Sequence, residues 1–275
     1  MKALRIIRIS LASFFLVASL AALFMGARVH PVAMAAEKSQ VILSTISISA
    51  GTALAWFLLT FVFGRVYCSS VCPVGTLSDL FMKCRRLFPK LRRRTFSYRP
   101  RSRWSVHIVW IYILCLLIGI LGVPFLVEPW NIMRNVASVV NPDAVSSTWL
   151  TIGASALTGM IGGIAAILLI AVLAVLYGRR FCTDYCPLGV MMGYLSAYSL
   201  YHLEIDRDKC VSCGLCEEIC RSQCVKIVSR YIDDSRCVRC FDCVSRCPND
   251  AIRFQLNRNR PMTPLLMRTK KRSGT

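Results

Sequence analysis

The chain has 275 residues, with 34 Lys and Arg against 14 Asp and Glu, yet 55% of it is hydrophobic and its mean hydropathy is +0.54. A soluble nucleic-acid-binding domain with a net charge of +20 would be rich in charge and poor in apolar residues, so no nucleic-acid partner is expected, and so greasy a chain is not disordered. The class that fits is a membrane protein whose basic residues collect on one side.

The first apolar run, Ile9 to Ala27, follows Lys2, Arg5 and Arg8. A signal peptide would begin this way, and Ala33-Met34-Ala35 fits a cleavage site, but the run is longer than an ordinary signal core and reads better as an uncleaved helix. Three more runs follow, Val41 to Phe63, Val106 to Val127 and Leu150 to Tyr177. Each is long enough to cross a hydrocarbon core of about 30 Å, and each must do so as a helix because no water is there to satisfy its backbone. The loop after the second run carries eleven Lys or Arg, including Arg92, Arg93 and Arg94, whereas the first and third loops carry two and one. The positive-inside rule then puts both termini and the large middle loop in the cytoplasm of a multi-pass inner-membrane protein, with anionic lipid headgroups as a natural neighbour of that loop. In the third loop, Glu128-Pro129-Trp130-Asn131 reads as an interfacial tryptophan anchor, with a quinol-facing carboxylate as the alternative.

The second and fourth runs end alike, in Gly64-Arg65-Val66-Tyr67-Cys68 to Cys72-Pro73-Val74-Gly75 and in Gly178-Arg179-Arg180-Phe181-Cys182 to Cys186-Pro187-Leu188-Gly189. The shared pattern, G-R-x-aromatic-C-x3-C-P-aliphatic-G, recurs at an offset of 114 residues, so the membrane part is read as a duplication. Proline after the second cysteine suits a turn or a fresh helix start. Brought together, Cys68, Cys72, Cys182 and Cys186 would hold a metal or cluster, serve as a dithiol couple, or merely pack.

Beyond Tyr201 the chain changes character. Nine of its fifteen cysteines lie between Cys210 and Cys247. Cys210-x2-Cys213-x2-Cys216-x3-Cys220 and Cys237-x2-Cys240-x2-Cys243-x3-Cys247-Pro248 have the spacing of two-cluster bacterial ferredoxins, in which the fourth cysteine of each run reaches the other cluster. One [4Fe–4S] cluster is therefore assigned to Cys210, Cys213, Cys216 and Cys247, and the other to Cys237, Cys240, Cys243 and Cys220. Zinc would call for C-x2-C pairs on longer spacers. Two features depart from the pattern. Arg221 stands where proline should follow Cys220, and an extra Cys224 aligns with Ala251 and reads as a packing residue and not a ligand, with a swap that makes Cys224 the ligand in place of Cys220 as the alternative. Short strands are expected at Leu203–Asp206 and Arg230–Asp233, with short helices after each run. Arg221, Arg236, Arg239 and Arg246 adjoin the ligand cysteines and either raise the cluster potentials or point to solvent.

The expected architecture is a four-helix membrane domain (1–200), a C-terminal α+β ferredoxin-like domain (201–256) and a basic tail (257–275). With its cysteine motifs, this arrangement resembles the membrane-bound ferredoxin-type proteins of the NapH/MauN group. The resemblance implies an electron carrier or quinol dehydrogenase subunit, not a self-sufficient enzyme, passing electrons between the quinone pool and a partner iron–sulfur protein, reductase or dehydrogenase. The alternative is a redox-sensing or metalloenzyme-assembly ferredoxin.

Overall fold

The computed structural model describes residues 2–25, 35, 38–40, 46–84, 96–120, 127–137 and 156–256. Arg92–Arg94, Asp143, most of the 33–35 cleavage-site candidate and the tail from 257 lie outside them. The helical part comprises α1 (Lys2–Met25), α2 (Ile46–Phe63), α3 (Tyr67–Ser70), α4 (Pro73–Cys84), α5 (Trp104–Ile118), α6 (Pro129–Ala137), α7 (Ala156–Tyr177), a π-helical turn (Phe181–Tyr185) and α8 (Pro187–Ser196). Among the described residues, Ala3–Leu23 of α1 is the one stretch long and apolar enough to cross a membrane by itself; Gly51–Phe63, Trp104–Ile118 and Ile161–Tyr177 are shorter apolar stretches.

Two readings of the helical part change. The third run does not continue as one helix to Val127. At Gly119 the backbone turns left-handed (φ 81°) and the Gly119 N–H closes the last turn on Leu116 O at 3.3 Å. The Glu128–Asn131 segment is not an exposed interfacial anchor either. Trp130 is 2% exposed and shares one apolar cluster with Cys72, Cys186 and Met192, while buried Glu128 accepts hydrogen bonds from Tyr112 Oη at 2.5 Å and Asn131 Nδ2 at 2.7 Å. The indole covers the thiols, and the carboxylate is satisfied within the protein.

The ferredoxin part pairs β1 (Tyr201–Ile205) antiparallel with β4 (Ile252–Leu256), Leu203 facing Phe254, and β2 (Val225–Lys226) with β3 (Tyr231–Ile232). Its two short α-helices, α9 (Leu215–Glu218) and α10 (Asp242–Arg246), lie inside the cysteine runs, and only the first run is followed by a helical turn, the 3-10 turn Ile227–Ser229. The third cysteine of each run, Cys216 or Cys243, therefore sits on a helical turn, and strand pairing follows the fourth.

Buried arginines join the two parts. Arg239 donates to Asp234 Oδ1 at 2.6 Å, to Ser199 Oγ at 3.0 Å and to Phe63 O at 3.2 Å. Its guanidinium lies against Gly64, where an added Cβ would fall 2.5 Å from Nε. Arg236 reaches Pro100 O at 2.8 Å and Asp184 at 3.4 Å. On the opposite side, Asp79 of α4 accepts a bidentate pair from Arg179 at 2.9 and 2.6 Å, an ion pair from Arg221 at 3.1 Å, and a further one from Arg8 of α1. Burial alone would raise the Asp79 pKa, but Arg179, Arg221 and Arg8 outweigh it and hold the carboxyl well below its ordinary 3.8.

Removing one partner from such a buried set costs roughly 3–5 kcal/mol, because the remaining charges are left uncompensated. Asp79→Asn is therefore expected to lower the melting temperature of the purified protein by about 10 °C. A carboxyl with a depressed pKa stabilises fully above its unfolded value and loses that contribution as the pH falls through the folded one. The wild type should thus lose stability progressively below about pH 4, and the variant should lack that part of the acid transition.

Candidate iron–sulfur and thiol sites

The two cysteine runs are superimposable turn by turn, at an offset of 27 residues. Left-handed backbone occurs at Ser212 and Arg239, at Gly214 and Phe241, and at Gln223 and Asp250. A left-handed residue after each αR or extended one curls the chain and turns successive N–H groups to one side, which is how a short run wraps an anionic group. Cys210, Cys213, Cys216 and Cys247 line one cavity together with Ile205, Ile227 and Ile252. Cys220, Cys237, Cys240 and Cys243 line a second. The fourth cysteine of each run has crossed to the other run's cavity. The Cys247 Sγ accepts the Ala251 N–H at 3.3 Å, and the Cys220 Sγ accepts the Cys224 N–H at 3.4 Å, so the two fourth cysteines hold equivalent positions.

A single tetrahedral ion would draw its sulfurs to about 2.3 Å from one point. Among the described residues, no three Cys, His, Asp or Glu converge in that way. Four thiols spread around an apolar cavity suit a cubane, which offers one iron to each sulfur. The donor set therefore fits [4Fe–4S] chemistry.

Cys224 is buried in the ferredoxin core, as a packing residue would be, and it also meets Cys220. It stands where Ala251 stands in the twin run, yet its sulfur lies 3.4 Å from Cys220 Sγ and lines the second cavity. Its pKa is raised, first by its hydrogen bond to Cys220 and next by that to Cys237, while Cys220 is lowered by the same bond. The missing proline also has a reason. Arg221 spends its side chain on Asp79 and Asp242, and its carbonyl accepts the Arg179 N–H at 3.0 Å. Three of the four arginines flagged beside ligand cysteines are thus structural, Arg236 and Arg239 being 1% and 0% exposed, whereas Arg246 faces solvent.

The duplicated motif forms the third thiol site. Each copy closes its turn with an i+5 hydrogen bond, Cys72 N–H to Tyr67 O at 3.0 Å and Cys186 N–H to Phe181 O at 2.8 Å. Such widened turns recur at functional sites. Each proline then starts a helix, α4 or α8, as its missing N–H and fixed φ favour. The glycine three residues past each cysteine pair has no room for a side chain, since a Cβ on Gly75 would fall 2.2 Å from Cys68 O and one on Gly189 would fall 2.2 Å from Cys182 O. The arginines exchange across the duplication. Arg65 Nη2 donates to Cys182 O at 2.7 Å, and Arg179 Nη1 donates to Cys68 O at 2.9 Å. Each repeat's arginine thus holds the other repeat's first cysteine, and Cys68, Cys72, Cys182 and Cys186 are all buried together. Burial first, then the neighbouring thiols Cys68 and Cys182, push the Cys72 pKa well up. Cys182 is pushed up to about 11, again chiefly by burial. Such thiols carry negative charge only when a cation or cluster shares it. The duplication and the paired cysteines were visible in the sequence. The cross-repeat arginine exchange was not, although the conspicuous G-R dipeptide was its signal.

Comparison with known proteins bears on both halves. A 4Fe-4S binding domain family matches residues 48–94 and 158–200, the two repeats, and another 4Fe-4S binding domain family matches 203–226. MJ0749, an uncharacterized protein of Methanocaldococcus jannaschii, is 28% identical over 203 residues, 74% of this chain and 69% of its own. The methylamine utilization ferredoxin-type protein MauN of Paracoccus denitrificans is 28% identical over 195 residues, 70% of this chain and 61% of its own. The ferredoxin-type protein NapH of Escherichia coli is 27% identical over 194 residues, 68% and 60% of the two chains. No solved structure matches. Over about 70% of its length the chain is thus similar to ferredoxin-type iron–sulfur electron-transfer proteins such as MauN and NapH.

Proposed function

We propose that the protein carries electrons from the quinone pool to a partner iron–sulfur protein through three thiol sites in series. The observation that carries this reading is their order. Val238 and Cys240, on the second cysteine run, pack in the same apolar cluster as Cys68, Cys72 and Cys186, whereas the other cavity opens outward, with Cys213 exposed and Val211 65% exposed. Electrons accepted at a disulfide or cluster held by the duplicated cysteines would pass to the site of Cys220, Cys237, Cys240 and Cys243. They would leave from that of Cys210, Cys213, Cys216 and Cys247, where a partner has access. When bound, two cubanes at these sites supply single-electron carriage.

The chain's own residues set the conditions. Buried Arg239 lies beside the second cavity, the buried carboxylate of Asp242 lines it, and Cys224 Sγ lies 3.4 Å from Cys220 Sγ, so the two sites should differ in potential. The membrane reading extends to four crossings, termini inside. It is supported by the outward apolar faces of the shorter helices, such as Leu58 of α2, Leu117 of α5 and Leu168 of α7.

Anaerobic purification with EPR tests the proposal. A short-chain quinol should reduce the clusters of the wild type. Reduction by dithionite but not by quinol, in the membrane-embedded protein, would exclude the quinone pool as donor. Cys68→Ser or Cys186→Ser should slow quinol-driven reduction at least tenfold while about eight iron atoms per chain remain. Unchanged reduction in these variants would make the four thiols mere packing. Cys220→Ser should damage one cluster, and Cys224→Ala should keep both and lower one midpoint potential. The opposite outcome would make Cys224 the ligand. For topology, a reporter after Thr275 or near Arg93 should read cytoplasmic and one near Asp143 periplasmic. The reverse pattern would overturn the orientation.

A further inference from the structure

An open cavity runs between α1 and α4 and reaches the ferredoxin part. None of the thiol sites uses it. Its lining changes character along α1. Arg5 and Arg8 stand at the end where the helix begins, and Ile9, Ala12 and Leu16 follow on the same face at helical spacing. Leu80 continues the apolar wall from α4, and Lys83 and Arg221 complete the cationic end. Four cationic side chains thus line the cavity against two carboxylates, Asp79 and Asp242. Arg8 and Arg221 are committed to those carboxylates. Arg5 commits only its Nε, to Asp242 at 2.9 Å, and is itself 40% exposed, and Lys83 is exposed.

We propose that this cavity seats the headgroup of an anionic glycerophospholipid, with the phosphate between Arg5 and Lys83 and an acyl chain along Ile9, Ala12 and Leu16. A cationic end leading into an apolar wall at the start of a membrane helix matches a lipid's own profile at the interface. Surplus positive charge favours an anion over a neutral quinol head, which would need hydrogen bonds but no counter-charge. The proposal rests on α1 lying in the membrane and not on the direction of electron flow. It also puts a membrane-derived negative charge beside Arg221, the residue that follows Cys220.

The test is native mass spectrometry of the full cluster-loaded chain, titrated with phosphatidylglycerol and with phosphatidylcholine of the same acyl length. Phosphatidylglycerol should be retained preferentially. Each basic residue near a membrane surface contributes about 1 kcal/mol, so Lys83→Gln should weaken retention about fivefold and Arg5→Gln/Lys83→Gln about 30-fold. Ala12→Trp, which fills the apolar wall, should remove the preference while iron content stays at the wild-type level. Lys83→Gln changes an exposed side chain, so its result does not depend on refolding. Equal retention of the two lipids would overturn the proposal. So would displacement of phosphatidylglycerol by millimolar inorganic phosphate, which would mark a plain anion site. Displacement by a quinone analogue at equal concentration would assign the cavity to the quinone instead.

Discussion

A carboxylate taken out of water costs several kcal/mol unless other charges compensate it, and Asp79 is compensated from three directions. Arg8 comes from the first helix, Arg179 from the second repeat and Arg221 from the ferredoxin part. Because one oxygen pair serves all three, none of these segments can move independently without exposing a charge to an apolar interior. The Arg179 and Arg221 contacts are linked again through the backbone, where Arg179 N–H bonds Arg221 O. A rigid connection of this kind is what serial electron transfer needs, since the spacing between carriers then does not fluctuate with domain motion.

The thiol turns extend the same logic. In each repeat the first cysteine's carbonyl is an acceptor turned inward by a widened helical turn, and the arginine that satisfies it comes from the other repeat. Neither copy can satisfy its backbone alone. The glycines at 75 and 189 are required by that carbonyl's close approach and not by any unusual backbone angle of their own. Five of the motif's fixed positions, glycine, arginine, two cysteines and proline, thereby acquire separate physical duties.

Much of this was legible beforehand. The 27-residue ferredoxin repeat follows from cysteine spacing alone, because cluster ligation dictates spacing more strictly than any propensity does. The pairing of the C-x3-C-P copies followed from their repetition. Other features depended on long-range contact and left only faint signals. Trp130 and Glu128 read as a surface segment because their composition is that of an interface, and only packing reveals that the indole is 2% exposed. Arg236 and Arg239 read as candidates for solvent because isolated arginines are mostly exposed, and their partners lie as far away as Pro100 and Phe63. Cys224 aligned correctly with Ala251, but alignment says nothing of a thiol reaching 3.4 Å from its neighbour.

The two repeats are not equivalent in one respect. The residue matching Asp79, 114 positions on, is Gly193, and there an added Cβ would fall 2.6 Å from Ser235 O and from Arg101 Nη2. Arg65, the counterpart of Arg179, accordingly gives its Nη1 to Ser235 O and not to an acid. Two identical half-chains assembled about a twofold axis would carry either two aspartates or two glycines at this place. Two aspartates would leave no room for the Ser235 turn of the ferredoxin part, and two glycines would leave Arg179 and Arg221 without their shared anion. A symmetric pair of one repeat would therefore hold the thiols between its copies but would not fit this ferredoxin domain on one side. One chain carrying two copies of unequal sequence supplies both residues, Asp79 against the arginines and Gly193 against Ser235.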